Sequence, residues 1–275
     1  MRRVILISAC LAFSTAAPLP AQEDDPSYIE GLIQDALSGT SREVRVTGFS
    51  GALSSNATME RLTIADEDGI WLSLEDASLI WSRAALLRGR LEVDELTAGR
   101  IELTRLPQSN PPPPTAEDAE AQPFALPDLP VSIELDELRA DAVVLGEAIL
   151  GEAATLTVTG NMSLIDGAAD VDLSVQRIDR DDRLTLVAAF SNATQDLKID
   201  LDFKEAAGGL IARAANIPGT PALGLTVKGD APLSEFDAAI ALSSDGARRL
   251  DGTVGISETT TPDSYGFRAN LDGDL

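Results

Sequence analysis

The stretch Met59–Leu106, MERLTIADEDGIWLSLEDASLIWSRAALLRGRLEVDELTAGRIELTRL, decides the fold class. Leu62 and Ile64 alternate with polar neighbours, and Asp66-Glu67-Asp68-Gly69 supplies a turn with glycine at its corner. Alternation resumes at Ile70, Leu72 and Leu74, and again at Ala77, Leu79 and Trp81. Ser82 is placed to cap one helical turn through Ala84, Ala85, Leu86 and Leu87, which Gly89 stops. Leu91 with Val93, and Ile101 with Leu103, return to a period of two. The stretch therefore reads as strand, turn, two strands, one turn of helix and two further strands. Common parity predicts that Leu62, Ile64, Leu72, Leu74, Leu91, Val93, Ile101 and Leu103 share one face.

Downstream, the same period continues from Leu129 to the end. Val131-Ile133-Leu135, Leu156-Val158, Val171-Leu173-Val175 and Leu184-Leu186 each put aliphatics on one side. In Leu197-Lys198-Ile199-Asp200-Leu201-Asp202-Phe203 every second residue is charged. Asp166-Gly167 and Asp245-Gly246 are hairpin turns. Arg180-Asp181-Asp182 and Asn192-Ala193-Thr194 also turn the chain, and residues 205–216 read as a short helix stopped by Pro218-Gly219. Strand pattern then runs through Leu223–Val227, Phe236–Leu242, Leu250–Ile256 and Phe267–Leu271. Roughly fifteen short strands result, each apolar on one face.

Upstream, Arg42–Phe49 reads as a first strand with an irregularity at Gly48–Gly51. Before it, Ser27 and Glu30 form a capping box for an amphipathic helix carrying Ile29, Leu32, Ile33, Ala36 and Leu37. That helix is either a plug at the end of a groove or ordinary packing against the sheet. Arg2-Arg3 followed by an apolar run from Val4 to Ala17 and then Pro18-Leu19-Pro20-Ala21 makes a Sec-type secretory signal, with cleavage after Ala21. Between the halves, Pro111–Pro114 and the acid- and alanine-rich residues after them make residues 107–128 an extended loop. The chain thus divides into a signal or anchor (1–21), a helix with a β module (22–106), the loop, and continuing β repeats (129–275).

Composition excludes several functions. The net charge of −24, from 45 acidic and 21 basic residues, repels phosphate backbones, so no nucleic-acid partner is expected. The overall acidity offers no polybasic tract for anionic headgroups either. Histidine is absent, and the single cysteine, Cys10, lies in the leader. Histidine-based acid–base chemistry, Cys/His metal centres and thiol redox chemistry are therefore ruled out. No catalytic residue, metal site or cofactor is expected. Paired acids such as Asp181-Asp182 fall in turns, where solvated charge is ordinary.

A one-sided apolar sheet must cover that side. It can use a second sheet, membrane lipid as a barrel, or its own curvature as a groove. Aromatic content of 4% is too low for the two girdles of a membrane barrel. Composition leaves sandwich and groove both open.

The ordered set Arg61-Leu62-Thr63-Ile64, Trp71–Ala77, Trp81-Ser82-Arg83, Leu86-Leu87-Arg88-Gly89-Arg90, Leu91-Glu92-Val93 and Ile101-Glu102-Leu103 resembles the N-terminal region of the TamB family. These are translocation and assembly module subunits in the AsmA-like group of bacterial envelope proteins. Gly208-Gly209 and Leu271-Asp272-Gly273-Asp274-Leu275 share the family's phrasing. The resemblance implies a mostly β fold: a long curved antiparallel meander folded into an elongated groove (a β-taco), with the N-terminal helix and one or two short helices. It further implies a periplasmic location, with residues 1–21 kept as an inner-membrane tether.

Two linked roles follow from the resemblance. The groove would carry phospholipid acyl chains between inner and outer membranes, or the protein would support translocation and assembly of outer-membrane and secreted proteins. An outer-membrane BamA-like partner would engage a C-terminal region that lies outside this sequence. The expected groove lining is Leu62, Ile64, Ile70, Leu72, Leu74, Leu91, Val93, Ile101, Leu103, Leu197, Ile199, Leu201 and Phe203. The alternative is a structural or adhesin-like secreted β-domain with a filled core.

Overall fold

The computed structural model describes residues 42–51, 54–107, 125–127, 129, 131–258 and 265–273. The leader, the helix carrying Ile29, Leu32, Ile33, Ala36 and Leu37, and the tetraproline loop lie outside the described residues. The chain order opens with β1 (Glu43–Thr47), β2 (Asn56–Asp66), β3 (Gly69–Trp81), α1 (Arg83–Leu86), β4 (Arg90–Leu103), β5 (Ser132–Leu145), α2 (Glu147–Leu150) and β6 (Ala154–Ile165). It continues with β7 (Ala168–Arg177), β8 (Arg183–Ser191), β9 (Asp196–Glu205), α3 (Leu210–Ala214), β10 (Leu223–Pro232), β11 (Glu235–Ser244), β12 (Ala247–Glu258) and β13 (Tyr265–Gly273). All thirteen strands form one sheet in sequence order, mostly antiparallel and not closed into a barrel.

Asp166-Gly167 and Asp245-Gly246 turn their hairpins with both residues at positive φ, matching the right-handed twist of the flanking strands. One pair breaks the meander. β5 runs parallel to β4, with Leu91 opposite Ile133 and Leu103 opposite Leu145. A parallel neighbour must start from the same end, so the chain has to cross back.

Four of the short strands read in the sequence are in fact two long ones. β3 spans 13 residues and β4 spans 14. Their alternation breaks because a fault crosses the sheet. Glu60 faces Asp76, Asp76 faces Gly99, and residues 99–100 face 141–142, all outside the regular pairing. Asp76 adopts a left-handed φ of 52°, and a Cβ on Gly99 would sit 3.1 Å from that of Asp76. Each strand from β2 to β5 therefore skips one position at this level, and β4 and β5 skip a second time near Asp94 and Asp136. β6 carries no such skip, and its Leu156, Val158, Met162 and Leu164 pair with Val143, Ala140, Leu135 and Ile133. The skips thus change parity in the sequence while keeping the apolar rows on one face, with Ile80, Val144 and Val187 as exceptions on the other.

Candidate functional site

The candidate site is that apolar face. Register carries it across the sheet in rows. One row runs Ala77, Ala98, Ala140, Val158, Val175, Leu184, Phe203, Leu225, Leu242, Leu250. A second runs Trp81, Val93, Leu135, Met162, Val171, Ala188, Ile199. The opposite face is polar, as in Thr97, Arg139, Thr159, Ser174, Thr185, Asp202 and Thr226.

The expected lining residues are brought together. Leu62, Leu74 and Ile101 stand side by side, as do Ile64, Leu72 and Leu103, while Leu91 and Val93 lie on the same face lower down. Leu197, Ile199, Leu201 and Phe203 pair with Phe190, Ala188, Leu186 and Leu184 and so face the same way. Ile70 sits at the end of β3 opposite Ala65 and is 52% exposed, at the rim of the face.

Cover over this face is uneven. Val93, Leu135, Phe190 and Phe236 are buried, whereas Leu96 and Met162, on the same face by register, are more than a third exposed. Phe267 and Leu271 of β13 extend the face and are 80% and 43% exposed. Among the described residues no large side chain is fully buried.

One end of the face is closed. The row Leu62, Leu74, Ile101, Val143, Leu156 terminates on Arg177. There α2 and α3 touch each other and roof a cavity of about 190 Å³ lined by Leu145, Leu150, Leu156, Val175, Leu184 and Phe203. An apolar cavity of this order accepts a ligand of several carbons; an engineered one of ~150 Å³ binds benzene.

Charged groups hold the roof in place. Arg177, with its side chain 2% exposed, donates through Nη2 to Glu152 at 2.6 Å and through Nε to Asp179 at 2.7 Å. Arg213 of α3 reaches the other oxygen of Glu152 at 3.0 Å. The buried Glu205 accepts from the backbone N–H groups of Ile211 (3.0 Å) and Ala212 (2.7 Å), capping α3 where Gly209 has no side chain to do so. Asp182 accepts from Ala206 N–H at 2.6 Å. The hydrogen bonds from Arg177 hold the Glu152 and Asp179 carboxyls below their usual range, and these carboxylates raise Arg177 in return.

Sequence reading missed this arrangement, because Arg177, Glu152 and Glu205 are far apart in the chain and none belongs to a motif. It also missed a repeat that was legible. Leu91-Glu92-Val93-Asp94-Glu95-Leu96 and Ile133-Glu134-Leu135-Asp136-Glu137-Leu138 are near copies, and they lie side by side in β4 and β5 without a slip. No protein-family model, curated protein or solved structure matches the chain.

Proposed function

We propose that this chain is a TamB-like periplasmic component that holds and conducts phospholipid acyl chains along its apolar face between inner and outer membranes. The observation that carries this reading is the set of apolar rows running strand to strand while members such as Leu96, Met162 and Leu271 stay partly open. Each methylene removed from water contributes ~0.8 kcal/mol, so a chain crossing a few strands is held. The contacts are non-directional, so a held chain still slides. The polar outer face keeps the body in water, and the charged network fixes the roof at one end.

A second role, the assembly of outer-membrane proteins, is the other one that the resemblance implies. In that role a client strand would add to the sheet by backbone pairing, the way extended segments join exposed strands.

Photo-crosslinking along β9 tests the first role. A benzophenone amino acid at Leu201 or Phe203 is expected to capture phospholipid, and one at Asp202 or Lys204 is not. Equal capture at all four positions, or capture at none, would count for the filled structural domain instead.

A further inference from the structure

The chain-wide excess of acid hides a local exception in the crossover from β3 to β4. From Ser82 to Leu91 the sequence carries Arg83, Arg88 and Arg90 and no acidic residue. The segment is firmly set. Ser82 Oγ accepts from Ala85 N–H at 3.3 Å, Ser82 N–H donates to Glu92 O at 2.9 Å, and Ala85 is wholly buried as the inward anchor. That placement turns the next two side chains outward. Leu86 is 43% exposed and Leu87 is 91% exposed. Arg83 and Arg88 are exposed beside them, while Arg90 is engaged by Glu92 at 2.6 Å.

Two leucines projecting between arginines suit a surface that is anionic at its headgroups and apolar beneath. On a molecule of net charge −24, such a surface is attracted here and repelled elsewhere. The carboxylate of Glu92, which stands opposite Glu134 on β5, is taken up by Arg90, so the positive charge of the patch rests on Arg83 and Arg88.

We propose that the α1 crossover is a docking foot for the anionic surface of a lipid bilayer. The row containing Trp81, Val93 and Leu135 begins beside it, so docking brings the end of the apolar face opposite the roofed cavity to the membrane. Docking itself does not depend on lipid entering the groove.

The test uses the full chain with Cys10→Ser and an environment-sensitive dye on Leu87→Cys, compared with the same dye on Thr185→Cys of the polar face. Phosphatidylglycerol–phosphatidylcholine vesicles are expected to blue-shift the dye at position 87 alone, and phosphatidylcholine vesicles are not. Replacing Arg83 and Arg88 by Gln should weaken vesicle affinity roughly thirtyfold, since each surface arginine contributes about five- to sixfold. Lipid crosslinking at Leu201 in detergent-dispersed lipid should persist in that variant, which separates failure of the foot from failure of the groove.

Binding to vesicles without a shift at position 87 would assign attachment to another segment and overturn the proposal, as would no binding at all. A shift that grows with protein concentration and needs no vesicles would assign the patch to self-association, with the same consequence.

Discussion

Arg177 shows how one side chain ends an apolar row. Five aliphatic residues precede it across β2 to β6, and its guanidinium is surrounded by Glu152, Asp179 and Asp182. Arg177→Met keeps the bulk and removes the charge, leaving Asp179 without its cation, Glu152 with Arg213 and Asp182 with Arg180. The expected cost at neutral pH is about 2–3 kcal/mol, below the ~3–5 of a fully buried pair, because Asp179 is 58% exposed and rehydrates. The pH dependence has a definite sign. Glu152 and Asp179 titrate below their usual range in the folded state, so the stability they contribute is complete above that range. It is lost as pH falls through their lowered folded values. Urea unfolding should therefore separate wild type from Arg177→Met at neutral pH and bring them closer as pH falls below the ordinary carboxylate range. A constant difference across that range would mean that the methionine variant suffers only from packing. None of this network was legible in the sequence, because its members meet only through the sheet and two short helices.

At the scale of elements, the fault through Glu60, Asp76, Gly99 and Asp141 explains why the sequence pattern named the right residues and the wrong strands. Leu72 and Leu74 differ in parity from Ala77, Leu79 and Trp81, so alternation alone divides β3 in two. A left-handed residue in mid-strand leaves no strong signature when it is aspartate rather than glycine. The face was still readable, because apolar side chains mark the buried side on both sides of each skip. The parallel β4–β5 pair escaped the reading, although the repeated Asp-Glu-Leu phrase pointed to it. Substitution at Asp76 tests the fault directly. Asp76→Gly accepts φ of 52° without strain and should lie within about 0.5 kcal/mol of wild type. Asp76→Val places a β-branched residue there and should cost at least ~1–2 kcal/mol in thermal unfolding. If valine were tolerated as well as glycine, the skip would not be a fixed element of the fold.

For the molecule as a whole, the fold class follows from binary pattern, while open groove and filled core differ only in what covers the apolar side. Leu74→Arg separates them. Leu74 stands between Leu62 and Ile101 in the middle of the β2–β4 segment and is half-buried. In an open groove the new guanidinium reaches water while its stem lies along Leu62 and Ile101, as long cationic side chains commonly do. The loss of stability should then be modest, near the low end of the ~1–3 kcal/mol of ordinary substitutions, and lipid capture at Leu201 should fall if chains travel past β3. In a sealed core the same arginine is a buried charge without a partner, and the chain should not fold. The exposure of Leu96 and Met162 on that face points to the first outcome. Thermal unfolding of the variant, read beside lipid crosslinking at Leu201 in both proteins, discriminates among three results. A folded variant with reduced capture supports conduction along the rows. A folded variant with undiminished capture confines the lipid to the strands beyond β4. An unfolded variant, with no adduct in the wild type, leaves the apolar rows as a structural core.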